Sequence, residues 1–163
     1  ALALLPEGVT LTIVDEGPPK RLTAWGMICE LGLEKRVSFT GKLELKELVH
    51  LYSTKTILVM SSLHEGFGLP AAEAMACETP VVATTAGALP EVAGDEGAAI
   101  LVPPKDPAAL AEAISSLLRD KKKRAAMGKK GRSRAAERFA WPVAARNTLR
   151  VYEDVIAGYR RTL

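Results

Sequence analysis

Aromatic residues and cysteines are scarce in this 163-residue chain, and each scarcity limits the classes of protein to which it can belong. Only 5% of the residues are aromatic, but 48% are hydrophobic, which is enough apolar material for one globular domain with a sizeable core. The two cysteines, Cys29 and Cys77, are too few and too unevenly placed for a disulfide framework or a metal site. We interpret both as buried thiols of a protein in the reducing cytoplasm.

A strong net charge and long apolar runs are also missing. The formal net charge is +3, and much of the excess lies between Arg119 and Arg134. A nucleic-acid-binding protein usually carries a larger basic surface, so nucleic acid is not expected as a partner. No apolar run approaches the roughly 20 residues of a membrane span. We interpret the basic segment as a solvated helix face, and weak peripheral contact with the inner membrane surface is the minority hypothesis.

Apolar segments alternate with amphipathic ones along the whole chain. The strand-like segments are VTLTIVD (9–15), VSFTG (37–41), TILVMSS (56–62), PVVATT (80–85) and AAILVP (98–103). Helices are predicted at 19–32, 44–53, 70–77, 89–94, 106–120, 121–138 and 141–161. Apolar strands that are each followed by a helix predict a parallel sheet with helices on both faces. The predicted fold class is α/β, a single Rossmann-like domain over residues 1–163 with extra C-terminal helices.

A glycine-rich turn between a strand and a helix holds the densest group of candidate functional residues. Glu65 stands at the exit of the third strand, residues 66–69 form the turn, and Pro70 is predicted to begin the helix. Glycines permit backbone geometries that other residues resist, and free amides at a helix start bind anions such as phosphate. Glu73, predicted on the first helical turn, can accept hydrogen bonds from a vicinal diol such as that of a ribose.

Two interpretations of this segment stay open on chemistry alone. A phosphate site beside a diol-binding carboxylate indicates a nucleotide sugar as the ligand. Alternatively, Glu73 is only a favourable charge near a helix N-terminus, and the glycines merely shape a loop. The segment follows a strand of a predicted parallel sheet, and ligands bind such sheets at the carboxyl ends of the strands.

At these residues the sequence resembles a known enzyme family. The segments EGFGLPAAEAMA (65–76) and PVVATTAGALPEV (80–92) are similar to the E-x7-E signature and its continuation in the family-four retaining glycosyltransferases of the GT-B fold. Further similar segments, in the family's order, are LTIVDEGP, RVSFTGKL, ELVHLYS, AAILVPPKDPAALAEAI and ERFAWPVAA. The resemblance covers nearly the whole chain.

The resemblance implies a role for each residue of the segment. Members of this family have two Rossmann-like domains, and the C-terminal one holds the nucleotide-sugar donor without a metal ion. Glu65 would then be the catalytic residue that contacts the donor sugar, and Glu73 would hold the ribose hydroxyls. The other implied donor-binding residues are Gly66, Phe67, Gly68 and Leu69 at the sugar and diphosphate, and the backbone of Lys42 and Leu43 at the base.

The implied function is transfer of a hexose from a UDP or GDP donor to an acceptor, with no cofactor. By the same resemblance, the acceptor domain and the first strand, with an Arg and a Lys for the diphosphate, are missing here. The chain alone is therefore expected to be inactive. The alternatives are a standalone nucleotide-sugar-binding module without catalysis, or a related GT-B sugar-nucleotide epimerase or phosphorylase.

Several single residues carry further expectations. Asp15 and Glu78 stand where the family usually has glycine, and Glu78 falls at a predicted helix C-cap, where glycine is the most favourable residue. We interpret Trp25 and Trp141 as core residues rather than sugar platforms. His64, which has no evident partner in the sequence, is interpreted as a structural residue at a strand end.

Overall fold

The computed structural model describes residues 1–15 and 24–160, and within them five parallel strands form two sheets. In the first, β1 (Leu11–Ile13) pairs with β2 (Val37–Phe39). In the second, β3 (Leu58–Met60), β4 (Val81–Thr84) and β5 (Ala99–Val102) lie side by side with β4 in the middle. The predicted parallel α/β architecture is confirmed. In the described residues, no strand pairs with the edge of β1 away from β2 or with the edge of β3 away from β4.

The central strand β4 explains why its segment is apolar at nearly every position. All four of its residues are buried, and Val82 stands opposite Val59 on one side and Ile100 on the other. A strand covered on both faces has no solvent side, so its sequence does not alternate with polar residues. Its one polar side chain, Thr84, donates a hydrogen bond from its hydroxyl to the Ser62 carbonyl oxygen at 2.6 Å.

Seven α-helices cover the sheets in the described part of the chain. They are α1 (Ala24–Glu30), α2 (Leu45–Thr54), α3 (Leu69–Ala76), α4 (Leu89–Ala93), α5 (Pro107–Arg119), α6 (Lys121–Arg138) and α7 (Trp141–Arg160). The predicted order is confirmed with small shifts at the ends, although part of the helix predicted at 19–32 lies outside the described residues. The start of α5 is as predicted: Asp106 Oδ1 accepts a hydrogen bond from the Ala109 amide at 2.8 Å.

The basic helix α6 packs on α3 through its small residues. A Cβ atom built on Gly131 would lie 3.1 Å from Met75 Cγ, and one built on Gly128 would lie 2.1 Å from the Glu78 carbonyl oxygen. Only glycine allows helices to approach this closely. The lysines at 121–123, 129 and 130 point outward and are exposed, which confirms the interpretation of this segment as a solvated helix face.

The C-terminal helix α7 leaves an apolar face exposed. Trp141 is 88% exposed, so its predicted place in the core is wrong; no described residue covers it closely enough to bury it. Trp25, by contrast, packs on Phe39 with ring centroids 5.9 Å apart.

None of the helices in residues 1–15 and 24–160 combines the length and apolar character needed to cross a bilayer.

The two cysteines are not buried, and that prediction is also wrong. Cys29 is exposed and Cys77 is half-buried. The residue that α1 turns inward is Ile28, one position before Cys29. Cys29 therefore lies beside the buried side of α1 and not on it.

Candidate functional site

The turn between β3 and α3 is built around Gly68. This residue caps α3 with a φ of 95°, a left-handed conformation that favours glycine, and a Cβ atom there would lie 2.8 Å from Leu89 Cδ2. The helix begins at Leu69, so Pro70 is its second residue and not its first as predicted. Gly66 has neither a positive φ nor any atom within 4 Å of an added Cβ, so the turn does not depend on its being glycine.

Glu65 is held by the loop that follows β4. Its carbonyl oxygen accepts a hydrogen bond from the Ala88 amide at 3.2 Å. A Cβ atom on Gly87 would lie only 1.9 Å from the same oxygen, so this contact requires glycine. Glu65 is half-buried, and its Oε2 accepts a hydrogen bond from Ser62 Oγ at 3.2 Å. Glu65 therefore stands fixed at the carboxyl end of β3, as predicted from the sequence.

The amides at the start of α3 have no hydrogen-bond partner in the described part of the protein. Among the described residues, the amides of residues 66–69 donate no hydrogen bond to the protein. The next amides, those of Ala71 and Ala72, already donate to the Gly68 carbonyl oxygen at 2.9 and 3.2 Å. A run of free N–H groups at a helix N-terminus suits an anion, because the amides and the helix dipole have the same polarity there.

Glu73 lies on the second turn of α3, not the first, because the helix starts at Leu69 and Glu73 is its fifth residue. Its side chain is exposed, and its Oε2 accepts a hydrogen bond from the Tyr52 hydroxyl at 3.1 Å. Burial of the ring, together with the neighbouring negative charge, raises the pKa of Tyr52 far above its ordinary value. The tyrosine therefore stays neutral and acts as the donor.

The predicted base-binding residues lie in the loop between β2 and α2. Leu43 is half-buried and Lys42 is exposed. Leu43 contributes to a shallow groove of about 400 Å³ whose other lining residues are Thr40, Lys46, Glu47, His50 and Leu51. None of residues 65–73 lines this groove. This groove therefore includes only one of the two predicted parts of the site.

Three structural partners of the site were not identified from the sequence. Ser62, which contacts Glu65, could have been suspected from its polarity at a strand end. The edge-to-face contact of Phe67 with Phe139, at 5.5 Å between centroids, has no local signal because the partners are distant in the chain. The same holds for the hydrogen bond from Tyr52 to Glu73.

Within the described residues, no three His, Cys, Asp or Glu side chains converge on one point. The expectation that the site needs no metal stays a prediction.

The parallel strands, the covering helices and a ligand-accessible turn at the carboxyl end of β3 define a Rossmann-like α/β domain. Residues 1–134 match the family model described as "Glycosyl transferases group 1". The chain belongs to this family. The resemblance to the family-four glycosyltransferases of the GT-B fold is thereby confirmed.

Curated relatives extend beyond the region that they share with this chain. The chain is 42% identical to the MMP alpha-(1->4)-mannosyltransferase of Mycolicibacterium hassiacum over 142 residues, covering 86% of this chain and 33% of that protein. It is 38% identical to the D-inositol 3-phosphate glycosyltransferase of Streptomyces bingchenggensis over 143 residues, covering 88% of this chain and 31% of that protein. The chain thus spans about a third of the length of these relatives.

Solved structures share the fold over nearly the whole chain. Sucrose-phosphate synthase from Thermosynechococcus elongatus superposes with a TM-score of 0.86 at 36% identity, covering 96% of this chain and 41% of that one. Anabaena HepE in complex with UDP-glucose superposes with a TM-score of 0.80 at 29% identity, covering 96% of this chain and 43% of that one. Both likenesses agree with the α/β architecture.

Proposed function

We propose that this chain is the nucleotide-sugar-binding part of a retaining glycosyltransferase that transfers a hexose from a UDP or GDP donor. The observation that carries the proposal is the row of free amides at residues 66–69, which lies between Glu65 and Glu73 in the chain. Family membership supports the reaction class. The complex of HepE with UDP-glucose supports a donor of this chemical class.

In this proposal, the free amides stabilise the negative charge that develops on the leaving diphosphate. In hexose transfer, the bond between the anomeric carbon and a diphosphate oxygen breaks, and the electron pair leaves with the diphosphate. Fixed N–H groups that point at this oxygen stabilise the transition state more than the ground state. With no metal, other protein cations would share this task, and the family's Arg and Lys on a preceding strand are the expected source.

The carboxylates have separate jobs in this proposal. Glu65, half-buried and held through both its backbone and its side chain, contacts the donor sugar. Glu73, exposed on α3, accepts hydrogen bonds from the ribose diol. The backbone at Lys42 and Leu43 contacts the base.

A larger protein is part of the proposal. The edge of β1 away from β2 and the edge of β3 away from β4 are both unpaired among the described residues, and one further parallel strand that paired with both would join the two sheets. An acceptor domain that precedes this strand would form the other side of the active site. The longer relatives support this arrangement. The cytoplasm, expected from the two thiols of the sequence, stays the proposed compartment.

Calorimetric titration tests the proposal directly. The 163-residue chain is titrated with UDP, GDP and ADP and with their glucose and mannose conjugates. We expect saturable binding of UDP or GDP sugars and no sugar transfer by the chain alone. Failure of every nucleotide to bind would refute the proposed ligand class, and turnover by the isolated chain would refute the need for an acceptor domain.

A further inference from the structure

A buried tyrosine on α2 contacts the carboxylate proposed to bind the ribose. Tyr52 is the one buried residue of α2, with 9% of its surface exposed, although it is 21 residues before Glu73 in the chain. Its hydroxyl lies 3.1 Å from Glu73 Oε2, and in the described residues it is the only hydrogen-bond donor to that carboxylate. The contact therefore joins α2 to the exposed face of α3.

Tyr52 is itself held from a second direction. The Thr79 hydroxyl, which is buried, donates a hydrogen bond to the Tyr52 carbonyl oxygen at 2.6 Å. The Thr79 amide in turn donates to the Ala74 carbonyl oxygen of α3 at 2.9 Å. The backbone of Tyr52 is thus tied to the same helix that carries Glu73. Such a link leaves the phenol little freedom to move relative to the carboxylate.

The direction of the Tyr52 hydrogen bond is fixed by chemistry. Burial and the charge of Glu73 raise the pKa of Tyr52, so the hydroxyl stays protonated and donates a hydrogen bond to Oε2. The other carboxylate oxygen of Glu73 has no partner among the described residues. One oxygen of Glu73 is thus anchored, and the residue as a whole is exposed.

We propose that Tyr52 is a positioning residue, which orients the Glu73 carboxylate to accept hydrogen bonds from the vicinal hydroxyls of the nucleotide ribose. This inference rests on the proposed function. A free glutamate on a helix surface samples several rotamers, and selecting one of them on binding weakens affinity. A buried donor that selects the rotamer in advance removes part of that loss.

The test is a double-mutant cycle on the 163-residue chain, read by calorimetry with UDP and 2′-deoxy-UDP. Tyr52→Phe keeps the ring and removes only the hydroxyl. We expect about a three- to tenfold loss of UDP affinity. The variant loses the hydrogen bond from Tyr52 to Glu73, which affects UDP only through the orientation of the Glu73 carboxylate. Affinity for 2′-deoxy-UDP should change less, because part of the contact with Glu73 is already absent. In the Glu73→Gln background, Tyr52→Phe should have almost no further effect on UDP affinity.

Tyr152→Phe is the matched control, because Tyr152 is 62% exposed on α7 and should leave both affinities unchanged. Circular dichroism and thermal melting verify that each variant is folded. Equal losses for UDP and 2′-deoxy-UDP in Tyr52→Phe would show a purely structural role and overturn the inference, as would unchanged UDP affinity. If the unmodified chain binds no UDP or GDP, or Glu73→Gln has no effect, the proposed function itself fails and the inference with it.

Discussion

The two parts of the chain that meet at the site are packed to different degrees. From β3 to α6, the strand β4 is buried along its whole length, and α3 buries four of its eight residues. From β1 to α2, the three-residue strands are only half-buried or exposed, and α1 and α2 each bury a single residue. A site that draws on both parts therefore has one firmly held side and one loosely held side.

This difference bears on how each proposed contact works. Glu65 stands on the tightly packed part, and the Glu73 carboxylate is held by Tyr52, the one residue that α2 buries. Lys42 and Leu43 lie on the loosely packed part, beside a shallow groove. We therefore expect the sugar and ribose contacts to be preformed and the base contact to be adaptable.

The largest expected effect comes from removing a core side chain in the tight part. Met75 is 1% exposed, and Met75→Ala should lower the free energy of unfolding by about 2–5 kcal/mol because it leaves a cavity. Met27, 63% exposed on α1, is the matched control, and Met27→Ala should change stability by less than about 0.5 kcal/mol. Urea denaturation followed by circular dichroism measures both. Equal losses of stability in the two variants would show that the two parts of the chain do not differ in packing.

Next in size is the effect of neutralising Glu73, the carboxylate proposed to bind the ribose. Glu73→Gln keeps one acceptor oxygen but loses the charge that strengthens its hydrogen bonds, which contribute roughly 1.5–3 kcal/mol. Affinity for the bare nucleoside diphosphate should fall by about ten- to a hundredfold in calorimetry. Glu112→Gln, on the exposed side of α5, changes the net charge equally and should have no effect. An unchanged affinity in Glu73→Gln would show that Glu73 does not bind the ribose and is only a charge on the helix surface.

A smaller and different effect is expected for the other carboxylate. Glu65→Gln should leave affinity for the bare nucleoside diphosphate nearly unchanged, because Glu65 is proposed to face the donor sugar. Affinity for the nucleotide sugar should fall by about three- to tenfold, and discrimination between glucose and mannose conjugates should change. Calorimetry with both ligand types separates the two outcomes. If Glu65→Gln and Glu73→Gln weakened the bare diphosphate equally, the division of roles would be wrong.

The smallest expected effect concerns backbone strain at the end of α3. Cys77 is the C-cap of α3, so Glu78 lies one residue beyond its predicted C-cap position, and its φ of 60° is the left-handed conformation that favours glycine after a helix. Glu78→Gly should stabilise the chain by up to about 1 kcal/mol and raise the melting temperature. The exposed ion pair of Glu78 with Arg132, at 3.7 Å, offsets little of this gain.

Lys105 provides the matched comparison for this strain. It also has a φ of 60°, and no ion pair with Lys105 occurs in the described residues, so Lys105→Gly isolates the conformational contribution. We expect both variants to melt at higher temperature than the unmodified chain. A lower melting temperature in Glu78→Gly alone would show that its side-chain contacts outweigh the strain.

The accuracy of the sequence predictions depended on how local each signal was. The start of α5 was predicted correctly because Asp106 and Pro107 act on their own helix within one turn. The start of α3 was placed one residue late, since Gly68 and not the proline sets it. Trp141 was assigned to a core because large aromatic rings usually pack, yet no described residue buries it.

By itself, the sequence determined the class of fold, the order of its elements and the turn that carries Glu65. These follow from short-range causes: apolar periodicity, capping residues and a glycine that accepts a left-handed backbone. Only the tertiary structure decided which distant groups meet. The approach of Gly87 to the Glu65 carbonyl and the hydrogen bond from Tyr52 to Glu73 join residues 21 or 22 positions apart. Such contacts depend on how helices and loops pack in three dimensions, and no local pattern encodes that geometry.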